Sequence, residues 1–120
     1  MFYSFNRSKS YADSQYFVRL GRDLFKKGIL DIETLKGTCF EGKSLEEVNQ
    51  NEVEAMFYRK ALSLDSKNAQ ALNELGACIS YGAAIAVEDL IETPFEGRAL
   101  KDINRDQLEA ELYRKSLAIN

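Results

Sequence analysis

The chain has 120 residues, a formal net charge of −3 and no histidine, with 45% hydrophobic and 29% charged residues. These values suit one modest hydrophobic core, and the weakly acidic balance argues against a nucleic-acid partner. The lack of histidine removes the most common general base and transition-metal ligand. Since no stretch approaches the roughly 20 apolar residues of a membrane span and the start shows no signal-peptide pattern, we expect a cytoplasmic protein without membrane, metal or cofactor binding.

The first predicted helix begins near Ser10 and ends near Gly28. Its apolar residues recur at the spacing of one helical face: Phe17, Leu20 and Leu24. Ser10 followed by Asp13 is typical of a helix start, and a glycine is typical of a helix end. Gly21 lies on the apolar face, where glycine costs about 0.5–1 kcal/mol relative to alanine. We therefore expect a neighbouring helix to approach closely at this position.

A connection of about 20 residues follows, over residues 28–48. Loops of that length without structure are uncommon, so Ile29–Lys36 is expected to form a short extra helix or to extend the first one. The Phe40-Glu41-Gly42 turn has two interpretations. In one, Phe40 fills the gap between the helices while Gly42 turns the chain at positive φ. In the other, Lys43 lies on an exposed loop and binds an acidic ligand.

The second helix is predicted to run from Gln50 to Leu64. Asn49 can cap its start, and Glu52 follows three residues later, which is the capping-box arrangement. Val48, just outside the helix, is expected to pack on Val53 as a hydrophobic staple.

The rest of the chain repeats this pattern. Residues 40–65 align without a gap on residues 95–120, and both copies contain Phe-Glu-Gly and Tyr-Arg-Lys. The apolar face recurs at Leu72, Leu75 and Ile79, with Gly76 in the place of Gly21. Asn104 and Gln107 repeat the cap, which predicts a helix from Arg105 to Ile119 after a second connection over residues 83–103. In that connection Ala83–Ile91 is the expected short helix and Arg98 corresponds to Lys43.

The repeat predicts an all-α fold of two helix-loop-helix units with a 55-residue period. We expect a single domain over residues 1–120, with the first unit at about 11–65 and the second at about 66–120. Repeats of this kind bury their apolar faces against each other, because one unit cannot do so alone.

Residues 58–76 resemble the junction of two tetratricopeptide repeats, where helix B of one repeat leads into helix A of the next. The matching positions are Tyr58, Lys60, Ala61, Leu62, Leu64, Asp65, Asn68, Ala69, Ala71, Leu75 and Gly76. Ser66 stands where the family usually has proline, while Glu54 and Glu109 stand where it prefers a small alanine. Each unit is also about 21 residues longer than the family's period of about 34, with the excess between helix A and helix B.

The resemblance implies a superhelical stack of antiparallel helix pairs whose A helices line a concave groove for a peptide or partner helix. It places these residues in the groove: Gln15, Val18, Arg22, Phe25, Lys26, Gln70, Asn73, Ala77, Ser80 and Tyr81. The candidate partner-binding residues are Gln15, Arg22, Lys26, Gln70, Asn73 and Tyr81. Arg22 and Lys26 lie one turn apart and could hold a carboxylate, or form an ordinary solvated face. Asn73 could meet a peptide backbone, and Tyr81 offers an apolar edge with a hydroxyl.

The expected function is that of a protein-binding scaffold rather than an enzyme. The sequence has no Gly-rich phosphate loop and no nucleophile elbow, and its carboxylates lie mostly on polar helical faces. Cys39 and Cys78 have no metal-ligand spacing and are expected to be free thiols.

The alternative function is structural self-assembly through the C-terminal helix. A terminal repeat exposes an apolar face that needs cover. The face predicted to be exposed comprises Leu108, Leu112, Tyr113 and Leu117. A second copy in an isologous dimer, the Met1–Phe5 segment, or residues of a longer chain could cover it.

Overall fold

The computed structural model of the chain describes the backbone of residues 2–119 and the side chains of residues 9–119. All regular secondary structure in this part of the chain is helical, without a strand. Its four α-helices are α1 (Phe2–Lys27), α2 (Gln50–Leu64), α3 (Ala69–Ser80) and α4 (Arg105–Ile119). Each long connection contains two short 3-10 turns, at Ile32–Leu35 and Leu45–Glu47 in the first and at Val87–Leu90 and Leu100–Asp102 in the second. The all-α class and the predicted bounds of α2 and α4 are confirmed.

Helix α1 begins earlier than the sequence pattern predicted. The start expected near Ser10 is wrong, because α1 already begins at Phe2 and no glycine or proline interrupts it before Gly21. Its end is as predicted, since the Gly28 amide donates to the Leu24 carbonyl at 2.9 Å and the helix stops at Lys27. The option that Met1–Phe5 covers the C-terminal helix concerns side chains outside the described residues.

Asparagine side chains cap the N-termini of α2 and α4. Asn49 Oδ1 accepts from the Glu52 amide at 3.1 Å, and Asn104 Oδ1 accepts from the Gln107 amide at 3.0 Å. The predicted return bond from Glu52 to Asn49 is wrong, because the Glu52 carboxylate accepts from the Ala84 amide at 3.1 and 3.2 Å. Glu52 therefore joins α2 to the second connection instead of closing its own cap.

Each helix pair is antiparallel, and polar contacts at equivalent positions hold its two ends. At one end, Gln50 Nε2 donates to the Leu24 carbonyl at 3.0 Å, and at the matching place in the second unit Arg105 Nη1 donates to the Ile79 carbonyl at 3.0 Å. At the other end the bonds are Ser14 Oγ to the Ala61 carbonyl at 2.8 Å and Ser116 Oγ to the Ala69 carbonyl at 2.7 Å. Ser14 lies on α1 and Ser116 lies on α4, but the two bonds join equivalent positions of the two helix pairs.

The two helical glycines mark the closest approach within each pair, as predicted. A Cβ on Gly21 would lie 2.6 Å from the Tyr58 ring, and a Cβ on Gly76 would lie 2.7 Å from the Tyr113 ring. In both pairs, a tyrosine of the second helix thus packs directly on the backbone of the first helix. This contact explains why glycine is retained despite its cost in a helix.

One cluster of buried side chains joins all four helices. It extends from Val18 in α1, through Tyr58 in α2 and Leu75 in α3, to Leu108 and Leu112 in α4. A smaller cluster lies between α1, α2 and the first connection and comprises Leu24, Leu35, Val53 and Phe57.

Both Phe-Glu-Gly turns pack against these clusters. Phe40 packs on the smaller cluster and Phe95 on the larger one, while Gly42 and Gly97 adopt φ values of 79° and 87°. These contacts favour the interpretation in which the phenylalanine fills the gap and the glycine turns the chain.

The apolar residues of α4 are more buried than the sequence suggested. The predicted exposure is wrong for Leu108 and Leu112, which are 0% and 1% exposed, and for Tyr113, which is half-buried. These residues face α3, whose side chains belong to the same cluster. Leu117 is exposed as predicted, at 74%.

Both cysteines are free, with Cys39 exposed and Cys78 buried. No helix in the described part of the chain is long and apolar enough to cross a membrane. Within the same residues, no three His, Cys, Asp or Glu side chains are grouped so that they could hold a metal ion.

Candidate partner-binding cleft

A cleft lies between the C-terminal ends of α1 and α3, with α2 as its floor. It contains a cavity of about 160 Å³ lined by Phe25, Glu54, Tyr58, Glu74, Ala77, Cys78 and Tyr81. Phe25 comes from α1, Glu54 and Tyr58 come from α2, and the others come from α3 and the residue that follows it. Because side chains three and four residues apart share a helical face, α2 and α3 each present a short row to the cavity.

Two polar contacts position α3 against the floor of the cleft. Asn51 Nδ2 donates to the Cys78 carbonyl at 2.9 Å, which fixes the end of α3 on α2. Tyr58 Oη donates to Glu74 Oε2 at 3.4 Å, a long hydrogen bond. The Glu74 carboxylate is therefore held above the same tyrosine that packs on Gly21.

The cleft contains a deeply buried carboxylate. Glu54 is 6% exposed, and its one described donor is Gln50 Nε2, 3.2 Å from Oε2. Burial raises the pKa of Glu54, the Gln50 hydrogen bond opposes this increase, and the nearby Glu74 adds to it. The site thus holds a carboxylate in an environment that disfavours its charge.

Cys78 and Tyr58 in the cleft remain protonated at neutral pH. Burial, followed by the charge of Glu54, raises the pKa of the Cys78 thiol to about 12. Burial and the charge of Glu74 likewise raise the pKa of Tyr58. The charge of the cleft therefore comes from its two carboxylates.

No cation balances these carboxylates within the described side chains. The ion pairs found there lie elsewhere and join Lys36 to Glu33, Arg59 to Asp89 and Arg114 to Glu111. The cleft is consequently an aromatic-rimmed cavity whose two carboxylates form no ion pair among the described side chains.

The predicted binding residues are distributed unevenly around this cleft. Tyr81 lines the cavity and is 73% exposed. Asn73 and Lys26 are exposed, and Gln70 and Arg22 are half-buried, but none of these four lines the cavity.

Gln15 and Val18, two residues of the predicted groove on α1, contact other parts of the chain. Gln15 Oε1 accepts from Asn68 Nδ2 at 2.8 Å, so it ties α1 to the start of α3. Val18 is 3% exposed within the main cluster, and its assignment to the groove surface is wrong. Gln15 is thus bonded to the N-cap residue of α3, and Val18 is enclosed by the main cluster.

The two carboxylates were missed by the sequence-based prediction. Glu54 carried a signal, since it stands where the resembled family has alanine. The structure buries Glu54 at this position and opens it to the cavity. Glu74 carried no comparable signal, because an acid on a helix surface is ordinary.

A second cavity, of about 200 Å³, lies between α2, α4 and the second connection. Its basic side chains already have partners. Arg59 Nε and Nη2 donate to Asp89 at 2.9 and 2.8 Å, and Lys115 Nζ donates to the Ile91 carbonyl at 3.0 Å. The basic groups of this cavity are therefore bonded within the chain, while Glu88 and Glu92 of its lining form no ion pair among the described side chains.

No protein-family model, no curated protein and no solved structure matches this chain.

Proposed function

We propose that the chain is a protein-binding module whose cleft between α1 and α3 takes a basic side chain from a partner peptide or helix. The observation that carries this proposal is the pair of carboxylates, Glu54 and Glu74, that line one cavity without a described cation within ion-pair distance. A buried charge without a partner is costly, so a ligand that supplies the missing cation gains binding energy from it.

The rim of the cleft suits the same ligand. Phe25 and Tyr81 are 54% and 73% exposed, and aromatic faces attract Lys and Arg side chains within about 6 Å. A guanidinium or ammonium group would donate charge-assisted hydrogen bonds to Glu54 and Glu74. A cavity of about 160 Å³ accommodates the end of one side chain, so the partner's backbone would lie across the mouth.

The tetratricopeptide-like superhelix is part of this proposal. It is supported by the resemblance of residues 58–76 and by helix contacts that recur at equivalent positions of the two units. In such a superhelix Asn73, Arg22 and Lys26 would border the cleft and contact backbone carbonyls or acidic groups of the same partner.

Selection from a phage-displayed library of random 12-residue peptides tests the function. We expect the native chain to enrich peptides with Lys or Arg at one recurring position. Synthetic versions of these peptides should bind the Glu74→Gln variant at least about tenfold more weakly, as expected for loss of one charge-assisted contact. Glu46→Gln, which removes an exposed carboxylate of the first connection, should bind them like the native chain.

The outcomes distinguish the proposed ligand chemistry from the proposed location of the site. Selected peptides without a basic position would contradict the proposed chemistry of the cleft. If no peptides are enriched, or if enriched peptides bind the Glu74→Gln and native chains equally, this cleft is not the binding site.

A further inference from the structure

The outer face of α4 repeats the face through which α2 contacts the next helix. In α2 this face comprises Asn51, Glu52, Ala55, Tyr58, Arg59 and Leu62. The equivalent positions of the second unit are Asp106, Gln107, Ala110, Tyr113, Arg114 and Leu117 in α4. The alanine, tyrosine, arginine and leucine are identical in the two faces.

The face of α2 is fully used inside the chain. Ala55 is 0% exposed in the cluster shared with α3. Asn51 Nδ2 donates to the Cys78 carbonyl at 2.9 Å, and Arg59 forms a two-bond ion pair with Asp89 in the second connection. Both α3 and the connection that follows it are therefore docked on this face.

The equivalent face of α4 lies open within the described chain. Ala110 and Arg114 are exposed, and Leu117 is 74% exposed where Leu62 is half-buried. The alanine, arginine and leucine that belong to a closed interface on α2 thus face solvent on α4, while Tyr113 is half-buried against α3.

We propose that this outer face binds helix α1 of a second copy of the chain, head to tail, as α2 binds α3. Helix α1 is the occupant because it is the counterpart of α3: Tyr16, Leu20 and Asp23 stand where α3 has Ala71, Leu75 and Cys78. The three α3 residues are 0–2% exposed, whereas Tyr16 is 45% exposed and Leu20 half-buried. The surface lies apart from the cavity of the proposed function and does not depend on it.

One charged pair favours this occupant. The interface inside the chain places Glu74 near Glu54, acid against acid. The same two positions in a contact between copies hold Arg19 on α1 and Glu109 on α4, so an attractive pair replaces a repulsive one. Complementary charge of this kind fixes the register of an interface and speeds association.

Other positions make the contact between copies weaker than the contact inside the chain. Asp106 replaces Asn51, cannot donate to a backbone carbonyl and would lie near Asp23, acid against acid. Thr34 stands where Asp89 would pair with the arginine. Tyr16 is larger than Ala71 and needs a wider separation of the helices. The association is therefore reversible and concentration-dependent, and because the two surfaces differ it forms a ring or an open filament rather than an isologous dimer.

Disulfide trapping between two marked chains tests the geometry. The pair Asp106→Cys and Asp23→Cys reproduces the positions of Asn51 and Cys78, where the Asn51 side chain bonds to the Cys78 backbone carbonyl inside the chain. Each variant carries Cys39→Ser, so the buried Cys78 is the remaining native thiol. Mixing the two under mild oxidation should link one variant to the other, well above the random cross-linking that the native chain shows through Cys39.

Other linkage patterns contradict the proposal. Homodimers of Asp106→Cys would show that α4 packs on α4, and homodimers of Asp23→Cys would show that α1 packs on α1. A mixture that links no more than the native chain would also overturn it.

A charge exchange provides a second test. By sedimentation velocity over a concentration series, Glu109→Arg and Arg19→Glu should each weaken self-association about tenfold or more. The double variant should recover most of the loss, because the pair is restored with its charges exchanged. A native chain that sediments as a monomer at every concentration, or a double variant no better than the single ones, would overturn the proposal.

Discussion

At the scale of single residues, the two glycine contacts differ in how much room they leave. A Cβ at Gly21 meets the Tyr58 ring at 2.6 Å, and Tyr58 is 1% exposed and cannot move away. A Cβ at Gly76 meets the Tyr113 ring at 2.7 Å, but Tyr113 is half-buried and can turn outward. Overpacking costs about 1–3 kcal/mol, while alanine gains about 0.5–1 kcal/mol in a helix.

We therefore expect Gly21→Ala to destabilise the fold by about 1–2 kcal/mol and Gly76→Ala to be nearly neutral. Urea denaturation of both variants measures the difference. In a Tyr113→Leu background, Gly76→Ala should become stabilising because the obstacle is gone. Equal losses at the two glycines would show that Tyr113 is held as rigidly as Tyr58.

The raised pKa of Glu54 gives the stability a defined pH dependence. In the unfolded chain this carboxyl titrates near its ordinary value of 4.5, and in the folded chain it titrates higher because it is buried. Between these two pKa values the folded state holds a proton that the unfolded state has lost, so stability falls as the pH rises through the folded pKa.

Relative to Glu54→Gln, the native chain should lose stability as the pH rises from 4.5 towards neutrality. Free energies of unfolding from urea titrations across this range measure the effect. The exposed-site variant Glu46→Gln should follow the native chain throughout. A constant difference between native and Glu54→Gln chains at all pH values would show that burial does not perturb this carboxyl.

At the scale of elements, an ion pair fastens the second connection to α2. The Asp89 side chain is fully buried and accepts two bonds from Arg59 and one from the Ala86 amide at 2.9 Å. Removing one partner of such a pair leaves a poorly solvated charge behind. We expect Asp89→Ala to cost about 3 kcal/mol of stability, measured by chemical denaturation.

Glu33 on the first connection supplies the matched control. Its ion pair with Lys36 is largely exposed, and exposed pairs contribute at most about 1 kcal/mol. Glu33→Ala should therefore change stability by less than about 0.5 kcal/mol. Similar losses for Asp89→Ala and Glu33→Ala would contradict the role assigned to burial.

The elements were predictable where a local signal determines them. Asn49 and Asn104 cap their helices by bonds to residues three positions away, and this is why the bounds of α2 and α4 could be read from sequence. The start of α1 was missed because a serine favours a helix start without requiring one. The bond that the Ala84 amide donates to Glu52 was missed because the two residues are 32 positions apart in the sequence.

The cleft required the packing of three helices and could not be predicted as a whole. Tyr81 was assigned to the groove from the family resemblance, and it lines the cavity. Val18 was assigned wrongly because the same helical positions that face a groove also face the neighbouring A helix. Glu54 and Glu74 are far apart in sequence, and only the antiparallel contact of α2 with α3 brings them to one cavity.

At the scale of the whole molecule, the two duplicated units share one main cluster of buried side chains. The main cluster extends from Val18 in the first unit to Leu112 in the second and forms a core common to both units, beside the smaller cluster within the first unit. A chain of 120 residues with one such core is expected to unfold in a single transition. The long connections strengthen this coupling, since Arg59 of the first unit is bonded to Asp89 of the second.

Two substitutions at opposite ends of the core test this coupling. Leu24→Ala lies in the smaller cluster of the first unit and Leu108→Ala in the main cluster of the second, and both leucines are 0% exposed. Each should cost about 2–5 kcal/mol. In NMR-monitored urea titrations, the amide signals of α1, α2, α3 and α4 should shift to the same lower midpoint in either variant. If Leu108→Ala lowered the midpoint of α3 and α4 alone, the units would be independent and the shared cluster would not couple them.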